Sequence, residues 1–173
     1  MMKLSGFFLA AALVSGAYAE GMSEGDRILG IELGYSTIQA DTGGTFGETD
    51  HRSSNISYGM RLGAEETVWR TLLSVDYYDN TDDDQQYFKG LAEVSYFVIQ
   101  DSSVKPFIGL NVGYLNYQST DYDENALLYG GQVGVTFRAG EHAEIDLSYR
   151  YSFSQNDKID HVEGVVLGLN YIF

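Results

Sequence analysis

Five acids, Glu32, Asp76, Glu93, Glu144 and Asp146, stand inside otherwise apolar or small-residue stretches, and five bases, Arg61, Arg70, Lys89, Lys105 and Arg150, recur in the same setting. The whole chain carries a formal charge of −15, so a balanced set within it is not what random surface decoration would give. Opposite charges held away from water must pair. Two kinds of chemistry follow: a hydrogen-bonded plug of salt bridges, or a narrow ion path gated by an ion pair that exchanges partners. Glu32, Arg61, Asp76, Lys89, Glu93, Glu144, Asp146 and Arg150 are the candidate network, with no catalytic residue, metal ligand or cofactor expected among them.

Other reactive groups are weaker candidates. His51, Arg52 and Ser53, with Glu48 and Asp50 nearby, could bring a base to a hydroxyl, and His161 with Ser152 or Ser154 is a looser pairing. His142 falls in a short turn and reads as inert. Asp79, Asp82, Asp83 and Asp84 with Asn80 could bind Ca²⁺, but the Gly and closing Glu of an EF-hand loop are missing. A solvated acidic loop is the favoured reading. The absence of cysteine removes disulfide, thiolate-metal and thiol-nucleophile chemistry.

The charged set is carried by strands. Around Glu32, residues Leu29, Ile31, Leu33, Tyr35 and Thr37 alternate with Ile28, Gly30, Glu32, Gly34 and Ser36. The same period of two runs through 55–64, 69–78, 87–98, 107–115, 127–137 and 143–153. It returns in 162–173, where Val165, Leu167, Leu169, Tyr171 and Phe173 oppose Gly164, Val166, Gly168, Asn170 and Ile172. One face of each strand is bulky and apolar; the other is small or polar. Connections at 39–54, 79–86, 118–126 and 154–161 are long and polar, whereas those at 65–68, 99–104 and 138–142 are short. The expected fold is therefore all-β, an eight-stranded antiparallel up-and-down transmembrane β-barrel.

A soluble barrel of the lipocalin type would put its apolar residues inside. Aromatics argue the other way. Tyr35, Tyr58, Tyr77, Phe88, Tyr114, Tyr129, Tyr151 and Phe153 gather at the long-loop end of the apolar face, and Trp69, Tyr96, Phe137, Tyr171 and Phe173 at the short-turn end. Two girdles around an aliphatic band suit two membrane interfaces. Since an eight-stranded barrel has an interior just wide enough for side chains, the plug is preferred to the ion path.

The first residues read differently. Lys3, an apolar run from Leu4 to Val14, and Ala17-Tyr18-Ala19 have the layout of a secretory signal peptide cleaved after Ala19. The expected organisation is a signal peptide at 1–19 and one barrel domain at 20–173. So acidic a chain repels phosphate, which excludes nucleic-acid binding. The long connections hold Asp41, Glu48, Asp50, Asp79, Asp82, Asp83, Asp84, Asp121, Asp123, Glu124, Asp157, Asp160 and Glu163 against only Arg52 and Lys158.

The runs PFIGLNVGY at 106–114, GGQVGV at 130–135 and EIDLSYRY at 144–151, together with the terminal Phe173, resemble the small outer-membrane β-barrel family of opacity-type proteins and OmpA-like membrane domains. The resemblance spans residues 20–173. It implies a bacterial outer-membrane location and contact with lipid and lipopolysaccharide. It also implies a last strand read by the barrel-assembly machinery: Gly168, Tyr171 and Phe173 match that signal, while Val166 stands where the family prefers a polar residue. The function expected is non-enzymatic, structural or surface-interactive, with acidic loops facing lipopolysaccharide, cations or a host surface. A low-conductance pore is the alternative. A lipid A-modifying enzyme is a distant third, because the His-x-Ser of that pattern belongs to a late strand and here lies near the second.

Overall fold

The computed structural model describes residues 25–41, 50–80, 85–100, 102–118, 123–155 and 159–173. They form eight strands: β1 (Asp26–Asp41), β2 (Asp50–Glu65), β3 (Trp69–Asn80), β4 (Gln85–Phe97), β5 (Val104–Gln118), β6 (Asp123–Arg138), β7 (Ala143–Ser154) and β8 (Ile159–Ile172). Each strand pairs with the next, and β8 pairs with β1 to close the barrel. Closure removes both sheet edges, so the backbone groups of every strand find partners without water. The seam holds to the last residue: Arg27 N–H donates to Phe173 O and Phe173 N–H to Arg27 O, both at 3.0 Å.

Alternation fixes the register. Leu29 lies opposite Leu62 and Tyr171, and Glu32 opposite Gly59 and Gly168. A slip of one residue would turn Glu32 toward the outside and Ile31 inward. The short connection between β6 and β7 is a tight turn: Ala139 N–H donates to Ala143 O at 2.8 Å, and Gly140 supplies the positive φ of 104°.

The strands run further than the apolar pattern suggests. The first long connection, expected at 39–54, leaves only 42–49 between β1 and β2, because Ile38, Gln39, Ala40 and Asp41 pair with Ser53, Arg52, His51 and Asp50. Backbone hydrogen bonds extend the hairpin past the point where apolar side chains stop. At 12 to 16 residues the strands exceed the roughly 9–11 needed to cross hydrocarbon. Glu65, Val104, Arg138 and His161, expected in connections, are likewise strand residues.

The two faces are inverted relative to a soluble barrel. Outward positions are apolar and open, with Leu110 73%, Ile56 66% and Met60 64% exposed, whereas Glu32 and Arg61 are each 2% exposed. A surface this apolar all round is stable in hydrocarbon rather than water. Thr37 departs from the pattern: on the outward set of β1, it is buried beside the register shift at Gln39 and Ala40.

Candidate functional site

The interior is built in layers. At the long-loop end, Tyr78, Tyr87, Leu91, Leu115, Ala126, Leu128 and Val162 form a buried apolar cluster, with the rings of Tyr78 and Tyr87 stacked at 5.0 Å. At the short-turn end, Ile28, Leu72 and Ile172 form a second, and Phe97 and Phe107 are buried with ring centroids 6.3 Å apart. The small-or-polar inner face expected from the sequence therefore holds only for the middle of the barrel. The long-loop end is filled by apolar side chains, and at the short-turn end the apolar and aromatic side chains stand among charged ones, Arg70, Glu65 and Lys105.

Between these caps lie all eight residues of the candidate network, from 1% exposed (Glu144, Asp146) to 5% (Arg150). Arg150, on β7, reaches across the lumen to β1 and β4. Its Nη1 and Nη2 donate to Glu32 at 2.8 and 3.1 Å, Nη2 lies 2.7 Å from Glu93, and Nε donates to Gln132 at 3.2 Å. Ser74 Oγ donates to Glu93 at 3.2 Å, and Gln132 Nε2 to Ser95 at 3.0 Å. On the adjacent strands β3 and β4, Lys89 sits 2.9 Å from Asp76.

A second centre lies toward the short turns. The Arg61 guanidinium pairs with Asp146, stands 3.6 Å from Glu32, and donates through Nε to Asn170 at 2.7 Å. Arg70 Nη1 lies 3.1 Å from Glu144 and 3.4 Å from Asp146, and Asn170 Nδ2 donates to both carboxylates at 3.1 Å. The other side of Arg70 faces aromatic rings, 4.6 Å from the Phe107 centroid and 5.6 Å from that of Phe97. Arg61 thus joins the two centres through Glu32. Each buried ion costs several kcal/mol of lost hydration, on the order of what multiple charge-assisted bonds return.

Room for these long side chains comes from glycines. A Cβ at Gly168 would run into the Arg61 guanidinium, and one at Gly59 into the Asp76 carboxylate. Both glycines flank Glu32 across the strand pairs. Under the long-loop cap a cavity of about 10 Å³ touches Ser36, Lys89, Arg150 and Ser152. That is at the threshold for one water and far below the space for a hydrated ion.

Sequence reasoning missed part of the site. Glu65, placed in a turn, ends β2 with 4% exposure and accepts from Lys105 Nζ at 2.7 Å; Lys105 also lies 4.9 Å from the Phe97 ring. Arg138 donates to Asp26 at 2.8 Å and stands 3.8 Å from Glu65. This latch ties β1, β2, β5 and β6 together across the short-turn mouth. The signal was present, since Glu65 continues the series Ser57, Gly59, Arg61, Gly63.

The three residues of the expected assembly signal part company. Gly168 faces the lumen under Arg61, whereas Tyr171 and Phe173 are 55% and 59% exposed on the outer wall with rings 6.1 Å apart. His142, read as inert, stacks on Tyr171 at 5.8 Å and is hydrogen-bonded through Nδ1 to Ile172 O at 3.0 Å.

The pairing of His161 with Ser152 does not form. Ser152 is inside, donating to Asn111 at 2.7 Å, while His161 stacks on Tyr151 at 4.8 Å and meets Asp160 at 2.8 Å. His51, Arg52 and Ser53 lie in β2 rather than a loop, with side chains outside the described residues. Of the acidic loop residues, Asp160 and Glu163 are described, and Glu163 accepts from Tyr149 Oη. Asp41, Asp50, Asp79, Asp123 and Glu124 are strand residues whose side chains lie outside the described residues, and Glu48, Asp82, Asp83, Asp84, Asp121 and Asp157 fall outside altogether.

The model of the outer membrane protein beta-barrel domain family matches residues 7–173. The chain belongs to this family. It is a bacterial outer-membrane β-barrel, and its apolar belt is the lipid-facing wall. Neisserial surface protein A has the same fold, with a TM-score of 0.67 at 16% identity over 87% of this chain and 100% of that one. Outer membrane protein H of P. aeruginosa follows with a TM-score of 0.60 at 18% identity, covering 86% and 99%. The N-terminal barrel domain of P. aeruginosa OprF gives 0.54 at 14% identity, covering 87% and 100%. No curated protein matches the chain by sequence. At these identities the likeness to solved structures is one of fold, and what this outer-membrane barrel does must come from its own interior and surfaces.

Proposed function

We propose that this outer-membrane barrel is a non-conducting, non-enzymatic wall protein that stabilises the membrane and presents its acidic long loops at the cell surface. The observation that carries the reading is the filled lumen: ion pairs among side chains of β1, β2, β3, β4 and β7, joined to β8 through Asn170, with buried apolar clusters toward both ends. An ion entering it would have to displace Arg150 or Arg61 from several partners at once. The opposite placement of His161 and Ser152 supports a role without catalysis. The acidic balance of the long connections supports partners that are cations, or lipopolysaccharide phosphates bridged by cations. Lys3, the run from Leu4 to Val14 and Ala17-Tyr18-Ala19 support a cleaved secretory signal. Tyr171 and Phe173, side by side at the end of the seam, support recognition of this strand by the assembly machinery.

The test is electrical. Refolded protein in planar bilayers, at an ionic strength where porins give clear steps, is expected to show no discrete single-channel current. Steady unitary currents that vanish when Gly59 or Gly113 is filled would replace this reading with a narrow pore. Acyl-chain loss from lipid A dependent on Ser53 would replace it with an enzyme.

A further inference from the structure

The interior is one charge out of balance. At the short-turn mouth Asp26 and Glu65 meet Arg138 and Lys105, two of each sign. Deeper inside, Glu32, Asp76, Glu93, Glu144 and Asp146 face Arg61, Arg70, Lys89 and Arg150, all of them buried. Among the described residues, five carboxyl groups therefore share four cations. At a surface, water and salt would neutralise the difference. In a lumen this dry an excess charge is costly, and a buried acid relieves that cost by keeping a proton.

The strand register sets where that proton belongs. Glu144 and Asp146 have donors between them, since Asn170 Nδ2 and Arg70 Nη1 bond to both. Glu93 meets Arg150 and the Ser74 hydroxyl. Glu32 and Asp76 differ, because their carboxyl groups lie within hydrogen-bonding reach of each other. Glu32 is opposite Gly59, Gly59 opposite Asp76, and Asp76 opposite Lys89. A Cβ at Gly59 would strike Asp76 Oδ1. The Asp76 carboxyl thus leans across β2 toward Glu32, while Lys89 Nζ holds its Oδ2 at 2.9 Å. Two ionised carboxylates are both acceptors and repel at contact, so a hydrogen bond between them needs one hydrogen.

The surroundings fix which acid carries it. Glu32 receives both Arg150 nitrogens and stands 3.6 Å from Arg61, so it is the better-compensated anion. The other titratable groups near the pair are Tyr87, Lys89 and Glu93 on β4 and Asp146 on β7. At that level β5, β6 and β8 present Asn111, Gln132 and Gly168, none of which titrates.

We propose that Glu32 and Asp76 form a proton-binding site, in which one hydrogen carried by Asp76 is donated to Glu32 and makes the lumen neutral. The site rests on the closed lumen proposed above. The two readings fail separately: unitary currents in a bilayer strike the closure, whereas the pH response described next strikes the proton.

Asp76→Asn mimics the protonated acid, since its amide N–H can donate to Glu32 and its carbonyl can accept from Lys89. Urea midpoints of the full barrel in lipid vesicles, for wild type and variant, are compared from about pH 5 to 8, a range in which an unfolded Asp is already ionised. The folded wild type then holds one proton that its unfolded chain has lost, so raising the pH favours unfolding. Relative to Asp76→Asn, its folded-to-unfolded ratio should fall by about tenfold or more across the range, with a limiting slope of about tenfold per pH unit. The three histidines are common to both chains and drop out of the comparison. Parallel curves would overturn the proposal. Infrared spectra add a second readout: folded wild type at pH 6 should show the carbonyl stretch of a buried protonated carboxyl group, absent in the variant. If Asp76→Asn gives no unboiled gel shift, the wild-type band decides alone, and its absence overturns the proposal. Exchanging sodium for a bulky cation at fixed pH and ionic strength should leave the wild-type midpoint unchanged; a drop would mean that a metal ion, not a proton, balances the charge.

Discussion

Arg150→Met is the most informative single change in the lumen. The guanidinium is shared by Glu32 at 2.8 and 3.1 Å and Glu93 at 2.7 Å, with Gln132 on its Nε. Its removal leaves Glu32 with Arg61 at 3.6 Å and Glu93 with the Ser74 hydroxyl at 3.2 Å. Breaking a buried pair while its partner stays charged costs about 3–5 kcal/mol. At ~1.4 kcal/mol per factor of ten, the folded-to-unfolded ratio should fall roughly 100- to 3,000-fold. Urea unfolding from lipid vesicles measures this through the one tryptophan, Trp69, whose ring meets Tyr96 edge-on at 5.0 Å on the outer wall. The midpoint should drop with little change in slope, since the surface exposed on unfolding is the same. Combining Arg150→Met with Glu32→Gln and Glu93→Gln removes the stranded charges and should recover most of the loss. A single variant within about 0.5 kcal/mol of the parent protein would refute the claim that these ions stabilise one another. So would a triple variant no better than the single one.

Two further changes separate packing from recognition. Gly168→Ala drives a methyl into the Arg61 guanidinium and loosens its bonds to Asp146 and Asn170, so it should cost about 1–3 kcal/mol. In an Arg61→Met background that cost should largely disappear; an equal cost in both backgrounds would show that Gly168 is needed for another reason, such as the assembly signal. Phe173→Ala keeps both backbone bonds to Arg27 and should slow insertion by the assembly machinery while barely moving the urea midpoint of barrels already folded. Unchanged insertion kinetics would remove Phe173 from the signal.

The barrel was legible because its period is strict. From Glu144 to Ser152 every second side chain faces the lumen, and once one face is buried no other register is available. Strand ends were less legible, since the pairing of Ala40 with His51 and of Asp41 with Asp50 rests on backbone bonds that no hydrophobic pattern reports. The charged residues of the interior could be listed from the sequence, but their partners could not. Arg150 on β7 meets Glu32 on β1 and Glu93 on β4, contacts set by side-chain reach across a closed lumen rather than by spacing along the chain. Glu65 was missed for a simpler reason: a carboxylate next to a turn looks solvated until Lys105, forty residues later, is found above it.

The two apolar caps change what the ion pairs can do. In a lumen lined by charges from end to end, exchanging one salt-bridge partner could open a wet path. Here Arg150 and Lys89 lie beneath Tyr78, Tyr87, Leu91, Leu115 and Leu128, and Arg70 lies against Phe97 and Phe107. Moving a guanidinium from one carboxylate to another leaves both of those layers in place, and a narrow constriction lined by hydrocarbon excludes water. The caps also keep water from screening the pairs, which strengthens each attraction and raises the penalty for any charge left alone. The proposed closure therefore has two causes that reinforce each other. Conduction would require disrupting the ion network and wetting both caps together, a larger rearrangement than any single side chain can make.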